Sequence, residues 1–175
     1  MRHLLTLFML TATACAADNL IVNGDFSSTQ PATAGAFFGW NDGDPAHITL
    51  VTEGANAFAR NATGVHVNTW QDIVIQPGWK ALKISARIRV KGLERTGTEG
   101  WMVPSLQFLG HNADKHVVGE PKWTKFVITA DQDWTDHSEL KLLSADMKTV
   151  RVSIETFAAK GTFDFDDITA TPVTE

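Results

Sequence analysis

The feature that most constrains this chain is a series of short segments in which apolar and polar residues alternate, separated by turn residues. A period of two is typical of a β-strand that buries one face, and clusters of Gly, Pro, Asn and Asp mark the turns between strands. No amphipathic helix of useful length interrupts the series. The pattern predicts an all-β sandwich. The main alternating segments are 47–51, 65–75, 81–90, 101–109, 123–128, 138–143 and 150–154.

The first residues have the features of an export signal. Arg2 and His3 precede an apolar run, residues 4–14, that is too short to span a bilayer, and small residues follow it. We therefore expect a signal peptide over residues 1–17, a mature domain over 18–175, and a secreted, periplasmic or cell-envelope location. An alternative is a lipoprotein, with Cys15 as the lipidated residue.

Charge and cysteine content exclude several classes of protein. Residues 18–175 carry 14 basic and 20 acidic side chains, a net charge of −6, which argues against binding to nucleic acid. No second apolar run is long enough for a membrane span. The single cysteine lies in the leader, so the mature domain depends on its core, or on a metal ion, for stability.

The alternation also assigns side chains to faces. Residues 82, 84, 86, 88 and 90 share one face of their strand and are all apolar, so we expect them in the core. The opposite faces carry aromatic, amide and charged side chains, which is unusual for a sheet that contacts only water. This outward set comprises His66, Asn68, Trp70, Arg87, Arg89, Trp101, Gln107, Arg151 and Glu155.

The two ends of the domain carry a recognisable pattern, NLIVNGDF at 19–26 and TFDFDDI at 162–168. Between them lie WQDIVIQPG at 70–78, LKISARIRV at 82–90 and a segment from Trp134 to Val152. Together they resemble the carbohydrate-binding modules of families 4, 9, 16 and 22 over residues 18–173. The resemblance implies a single galactose-binding-like jelly roll with its first and last strands close in space. It also implies a monomer that binds polysaccharide without cleaving it.

We take the glycan-binding residues from the outward set and add Trp123, which we expect at a cleft or its rim. Sugar rings need an aromatic platform for their C–H faces and planar polar groups for their hydroxyls, which Trp, Arg and Gln supply. Arginines at 87, 89 and 151 would suit uronic or sulfated glycans. We interpret Trp40 and Trp134 as structural. The candidate carbohydrate-binding residues are Trp70, Arg87, Arg89, Trp101, Gln107 and Trp123.

The resemblance further implies a structural calcium ion at the joined termini. The candidate ligands are Asp25, Asp166 and Asp167, although Ser27 stands where the family usually has Glu. If Phe163 and Phe165 point into the core, a strict period of two also turns Asp167 inward, where an unpaired carboxylate is costly.

Motifs for catalysis are missing from the sequence. It contains no G-x-S-x-G elbow, no Gly-rich phosphate loop and no H-E-x-x-H. We therefore expect a protein that is not an enzyme. Two alternatives stay open: a small jelly-roll glycoside hydrolase or polysaccharide lyase, and a cell-envelope adhesion or interaction domain that binds protein.

Overall fold

The computed structural model describes residues 18–28, 39–41, 48–62, 64–99, 103–157 and 159–174. Within these ranges the chain forms ten β-strands and no helix, as the alternation predicts. No helix there is long and apolar enough to cross a membrane. The strands are β1 (Thr49–Glu53), β2 (Asn56–Asn61), β3 (Asn68–Val74), β4 (Ala81–Arg95), β5 (Ser105–His111), β6 (Val117–Val118), β7 (Lys125–Val127), β8 (Gln132–Leu142), β9 (Thr149–Glu155) and β10 (Ala159–Val173).

The strands form two antiparallel sheets. Sheet 1 has the order β1-β2-β10-β4-β8, and sheet 2 has the order β3-β9-β5-β6, with β7 also paired to β5. Neighbours within each sheet are mostly distant in sequence, as in Greek-key sandwiches. The sequence pattern does not predict β2, because its one large apolar residue, Phe58, lies between alanines and the charged Arg60.

The core lies between the inner faces of the two sheets. The predicted inner face of β4 is confirmed, because Leu82, Ile84 and Ile88 have no exposed surface. From sheet 2, Phe108 and Ile154 are equally buried. One continuous apolar cluster joins the two faces and supplies the main free energy of folding.

The two ends of the domain meet as predicted, although residues 18–28 form turns and not the expected first strand. Leu20 N donates to Ala170 O over 2.9 Å, and Ile168 N donates to Gly24 O over 2.9 Å. The side chain of Asn19 accepts from Ala170 N over 2.9 Å. These bonds hold the N-terminal segment along the last strand.

Candidate functional site

The predicted glycan-binding residues that the structure describes are divided between opposite faces of the sandwich. Arg87 and Arg89 are on β4 in sheet 1, whereas Trp70 and Gln107 are on β3 and β5 in sheet 2. Alternation gives the correct outward direction for these four residues but does not say which sheet their strands join. Trp101 lies outside the described residues.

The outer face of sheet 2 brings most of the other outward residues together. Pairing places Trp70 opposite Ser153, and Ser153 opposite Gln107. In the next row, Asn68 lies opposite Glu155. Because neighbouring strands are about 4.8 Å apart, these side chains form a compact grid across β3, β9 and β5.

A cavity of about 930 Å³ opens on this face beside the grid. Gln107 and Glu155 lie on its floor, while Trp123 and Lys125 come from the loop before β7 and from β7 itself. The remaining lining is largely apolar. A pocket of this size, with an apolar wall and a few convergent polar groups, is the usual form of a small-molecule or oligosaccharide site. The other lining residues are His66, Val103, Leu109, Val127 and Phe157.

The polar floor belongs to a hydrogen-bonded trio, of which Gln107 and Glu155 line the cavity and Asn68 does not. Gln107 Nε2 donates to Glu155 Oε2 over 2.8 Å, and Asn68 Nδ2 donates to Glu155 Oε1 over 3.3 Å. Within the described part of the chain, Asn68 Oδ1 is buried without a hydrogen-bond partner. Burial raises the pKa of Glu155, an effect that the nearby charge of Lys125 opposes. The floor therefore presents pre-oriented polar groups to a ligand.

Aromatic rings form the walls of the cavity. Trp123 is 66% exposed, the most exposed of the large apolar side chains in the described chain. Two other rings of the lining, those of His66 and Phe157, meet edge to face with centroids 5.1 Å apart. Partial burial lowers the pKa of His66, which favours its neutral form. Phe157 is not among the predicted site residues, although it follows Glu155 with the same period of two.

Trp70 lies on the same outer face but does not line the cavity. The guanidinium of Arg151 covers its ring at 4.8 Å from the centroid. Arg151 also makes two hydrogen bonds of 2.8 Å to Asp72, and that contact raises the pKa of Arg151 and lowers that of Asp72. Trp70 is therefore a partly covered ring on the flank of the site.

The outer face of sheet 1 carries a partly buried ion-pair network. Arg89, 8% exposed, donates from Nε to Asp164 over 2.7 Å and makes two bonds of 2.9 and 3.0 Å to Glu53. Arg60 binds both oxygens of Asp164, at 2.7 and 2.9 Å. The donors on both edges of the Arg89 guanidinium therefore already bind carboxylates, which leaves neither edge free to bind a sugar hydroxyl.

Beneath the guanidinium groups lies an aromatic layer. Phe58 is fully buried on this outer face, with Arg89 5.1 Å from its centroid and Trp134 edge-on at 5.2 Å. Arg87 and Arg89 lie over the ring of Trp134, at 5.2 and 4.6 Å. These contacts support the structural role that we expected for Trp134, and they extend it to Arg89.

The three predicted calcium ligands do not converge. Asp167 is exposed and pairs with Arg87 over 3.3 Å, whereas Asp166 is buried and accepts from Asn56 over 2.8 Å. Asp25 is exposed and accepts from the backbone of Ser27. Burial is the main cause that raises the pKa of Asp166. Among the described residues, no cluster of three or more His, Cys, Asp or Glu side chains could hold a metal ion.

The inward direction expected for Asp167 is wrong. Asp166 pairs with Arg87 but Thr169 pairs with Ser85, so β10 has one residue more than β4 across this step. Such a bulge reverses the alternation, and it places Asp167 at a φ of 48° with its side chain outward, while Ile168 is buried. As placed, Asp25, Asp166 and Asp167 do not form a cluster of three carboxylates that could hold a metal ion. The ion itself stays a prediction that the melting temperature in calcium chloride, compared with chelator, would test.

No protein-family model matches the chain, and no curated protein matches its sequence. Its fold is similar to that of solved structures. The enzymatically active domain of tailspike protein 4 from bacteriophage CBA120 has a TM-score of 0.60 at 9% identity, and the match covers 89% of this chain but 21% of that one.

Two carbohydrate-binding modules match over nearly their whole length. "Family 16 Carbohydrate Binding Module-2" has a TM-score of 0.55 at 20% identity, with 87% of this chain and 99% of that chain covered. TmCBM61, solved with β-1,4-galactotriose, has a TM-score of 0.56 at 11% identity, covering 90% and 100%. The chain therefore has the jelly-roll β-sandwich fold of such modules.

Proposed function

We propose that this protein is an exported, non-catalytic module that binds a polysaccharide in the cavity on the outer face of sheet 2. One observation carries the proposal: the exposed ring of Trp123 lines the same cavity as the hydrogen-bonded pair of Gln107 and Glu155. The ring offers a stacking surface for sugar C–H groups, and the floor offers donors and acceptors for hydroxyls. The leader at residues 1–17 supports export.

The charge arrangement favours an uncharged glycan. Arg87, Arg89 and Arg151 each make an ion pair with a neighbouring carboxylate, so none of them offers an unpaired guanidinium to a uronate or sulfate. The charged groups that line the cavity in the described ranges are the carboxylate of Glu155 and the ammonium group of Lys125, so this lining has no net positive charge to attract an anionic ligand.

The non-catalytic part of the proposal rests on the acid groups of the cavity. Among the described residues that line it, Glu155 is the one carboxylate. Glycoside hydrolysis generally uses two carboxyl groups about 5–10 Å apart, on either side of the scissile bond. A single floor carboxylate, hydrogen-bonded to two amides, is suited to hold a hydroxyl and lacks the partner for bond cleavage.

A titration of soluble xylan, β-1,4-galactan and other neutral polysaccharides tests the proposal. We expect Trp123→Ala to weaken binding by about 1–3 kcal/mol, the usual value of a stacking platform, whereas Arg87→Ala on the opposite sheet should bind like the parent. Reducing-end analysis after prolonged incubation should detect no new chain ends. Shortened products would establish the hydrolase or lyase alternative, and no binding to any glycan would favour the adhesion domain.

A further inference from the structure

The indole of Trp123 packs too little to hold its own loop in place. Residues 119–124 connect β6 to β7, and both of these short strands pair with β5. Trp123 is 66% exposed, so its own packing cannot fix the loop. A platform that moves freely loses entropy when a ligand orders it. The contacts that hold the backbone on either side of Trp123 therefore decide how freely the ring moves.

A buried lysine from the other sheet makes those contacts. Lys141, on edge strand β8 of sheet 1, is 1% exposed. Its Nζ donates to Pro121 O over 2.6 Å and to Thr124 Oγ1 over 3.0 Å. Thr124 Oγ1 in turn donates to Pro121 O over 3.1 Å. The three bonds close a triangle whose two loop members lie two residues before Trp123 and one residue after it.

Burial of this ammonium group is costly unless it is hydrogen-bonded. Burial lowers the pKa of Lys141, and the carboxylates of Glu120 and Glu139 partly oppose that effect. Hydrogen bonds to a charged donor are stronger than neutral ones. Lys141 therefore binds its two acceptors firmly, and a neutral apolar side chain of similar length could fill the space without holding either of them.

The two ends of the loop are fixed separately. At its start, a side chain on Gly119 would place a Cβ 1.9 Å from Met147 Cε, which shows how closely the backbone packs there. At its end, Phe108 N donates to Thr124 O over 2.9 Å. Lys141 acts between these points, on the segment that orients the indole.

We propose that Lys141 is a positioning residue that holds the Trp123 loop in the orientation needed to stack on a sugar ring. It does so from the sheet opposite the cavity and without contact with the glycan. The proposal rests on the proposed function for its biological meaning. Its structural part, that Lys141 sets the position of Trp123, can be tested without any glycan.

Fluorine NMR of protein labelled with 5-fluorotryptophan is the ligand-free test. The signal of Trp123 is identified by its loss in Trp123→Phe. In Lys141→Met we expect this signal to shift or broaden while the signals of the other five tryptophans stay in place. Lys83→Met, at an exposed lysine on the neighbouring strand, is the matched control and should leave all signals unchanged. An unchanged Trp123 signal in Lys141→Met overturns the proposal.

A milder variant covers the case in which Lys141→Met does not fold. Thr124→Val keeps the volume of the side chain but removes one acceptor of the triangle, and it should shift the same signal by a smaller amount. If Thr124→Val also leaves the signal unchanged, Lys141 does not position the loop.

The binding experiment uses xylan or β-1,4-galactan, depending on which of the two the parent protein binds. Lys141→Met should lose nearly as much affinity as Trp123→Ala, and adding it to Trp123→Ala should change affinity less than about two-fold, because both act through one ring. Additive losses would show that Lys141 acts elsewhere. If the parent binds neither glycan, the proposed function fails, while the NMR result still decides whether Lys141 positions Trp123.

Discussion

Replacing Arg89 with alanine should destabilise the protein and leave glycan binding intact. The sequence pattern places Arg89 among the glycan-binding residues, but the structure surrounds it with partners. Its side chain is 9% exposed, and it contacts Asp164 and Glu53 through three hydrogen bonds of 2.7–3.0 Å. It also covers Phe58, which is fully buried although it lies on an outer face.

The size of the effect depends on the buried carboxylate that loses a partner. Asp164, whose side chain is 2% exposed, would keep Arg60 but lose Arg89. Removing one member of a buried ion pair typically costs about 3–5 kcal/mol. Because Arg60 still binds both carboxylate oxygens, we expect the lower end of that range, about 3 kcal/mol.

Arg87 provides a matched control two residues away on the same strand face. Its side chain is 37% exposed, and its ion pairs with Asp167 and Asp136 are 3.3 and 3.6 Å long. Exposed pairs of this kind contribute about 0–1 kcal/mol, and Arg87→Ala should cost no more than that.

Urea unfolding of the parent and both variants, with glycan titration of each folded protein, measures the two effects. The slope of the free energy against urea should stay constant, so that the midpoint reports stability. An Arg89→Ala variant within 1 kcal/mol of Arg87→Ala would refute the structural role that we assign to the network. A folded Arg89→Ala variant that no longer binds glycan would show that the ligand contacts sheet 1.

Two further changes test the joined termini and the cavity floor. Gly24→Ala would place a Cβ 1.9 Å from Ile168 O, and we expect a loss of about 1–3 kcal/mol, the usual cost of overpacking; a melting temperature equal to that of the parent would contradict the close approach. Glu155→Gln should change the pH dependence of stability. Burial raises the pKa of Glu155 above 4.5. The parent should therefore lose stability as pH rises from 4.5 through that higher value, and the variant should lack this loss. If the free energy of unfolding, measured in urea, changes with pH in the same way in both proteins, the prediction is refuted.

The sequence predicted which face of a strand a side chain occupies better than it predicted which strands pair with each other. In β4 the alternation correctly placed Leu82 and Ile84 inside and Arg87 outside. It could not show that β4 pairs with β10 and β8, while β3 pairs with β9, because sheet order depends on contacts between distant segments. For that reason the predicted residues divided between two outer faces.

Two local features also could not be predicted from an alternation with a period of two. The bulge at Asp167 reverses the alternation, and nothing in the DDI sequence marks an extra residue. Phe58 is an apolar side chain on an outer face, buried by Arg60, Arg89 and Trp134. Rings covered by guanidinium groups are stable outside the core, but hydrophobic patterning assigns such a ring to the interior.

The most direct test of the account is to map glycan binding on the backbone by NMR. Titration of isotope-labelled protein with a neutral oligosaccharide should shift the amides of Gln107, Lys125 and Glu155, around the cavity on sheet 2. The amides of Arg89 and Asp164 on sheet 1 should stay in place. Shifts confined to sheet 1, or no shifts with any neutral oligosaccharide, would contradict the central claim that this cavity is a glycan-binding site.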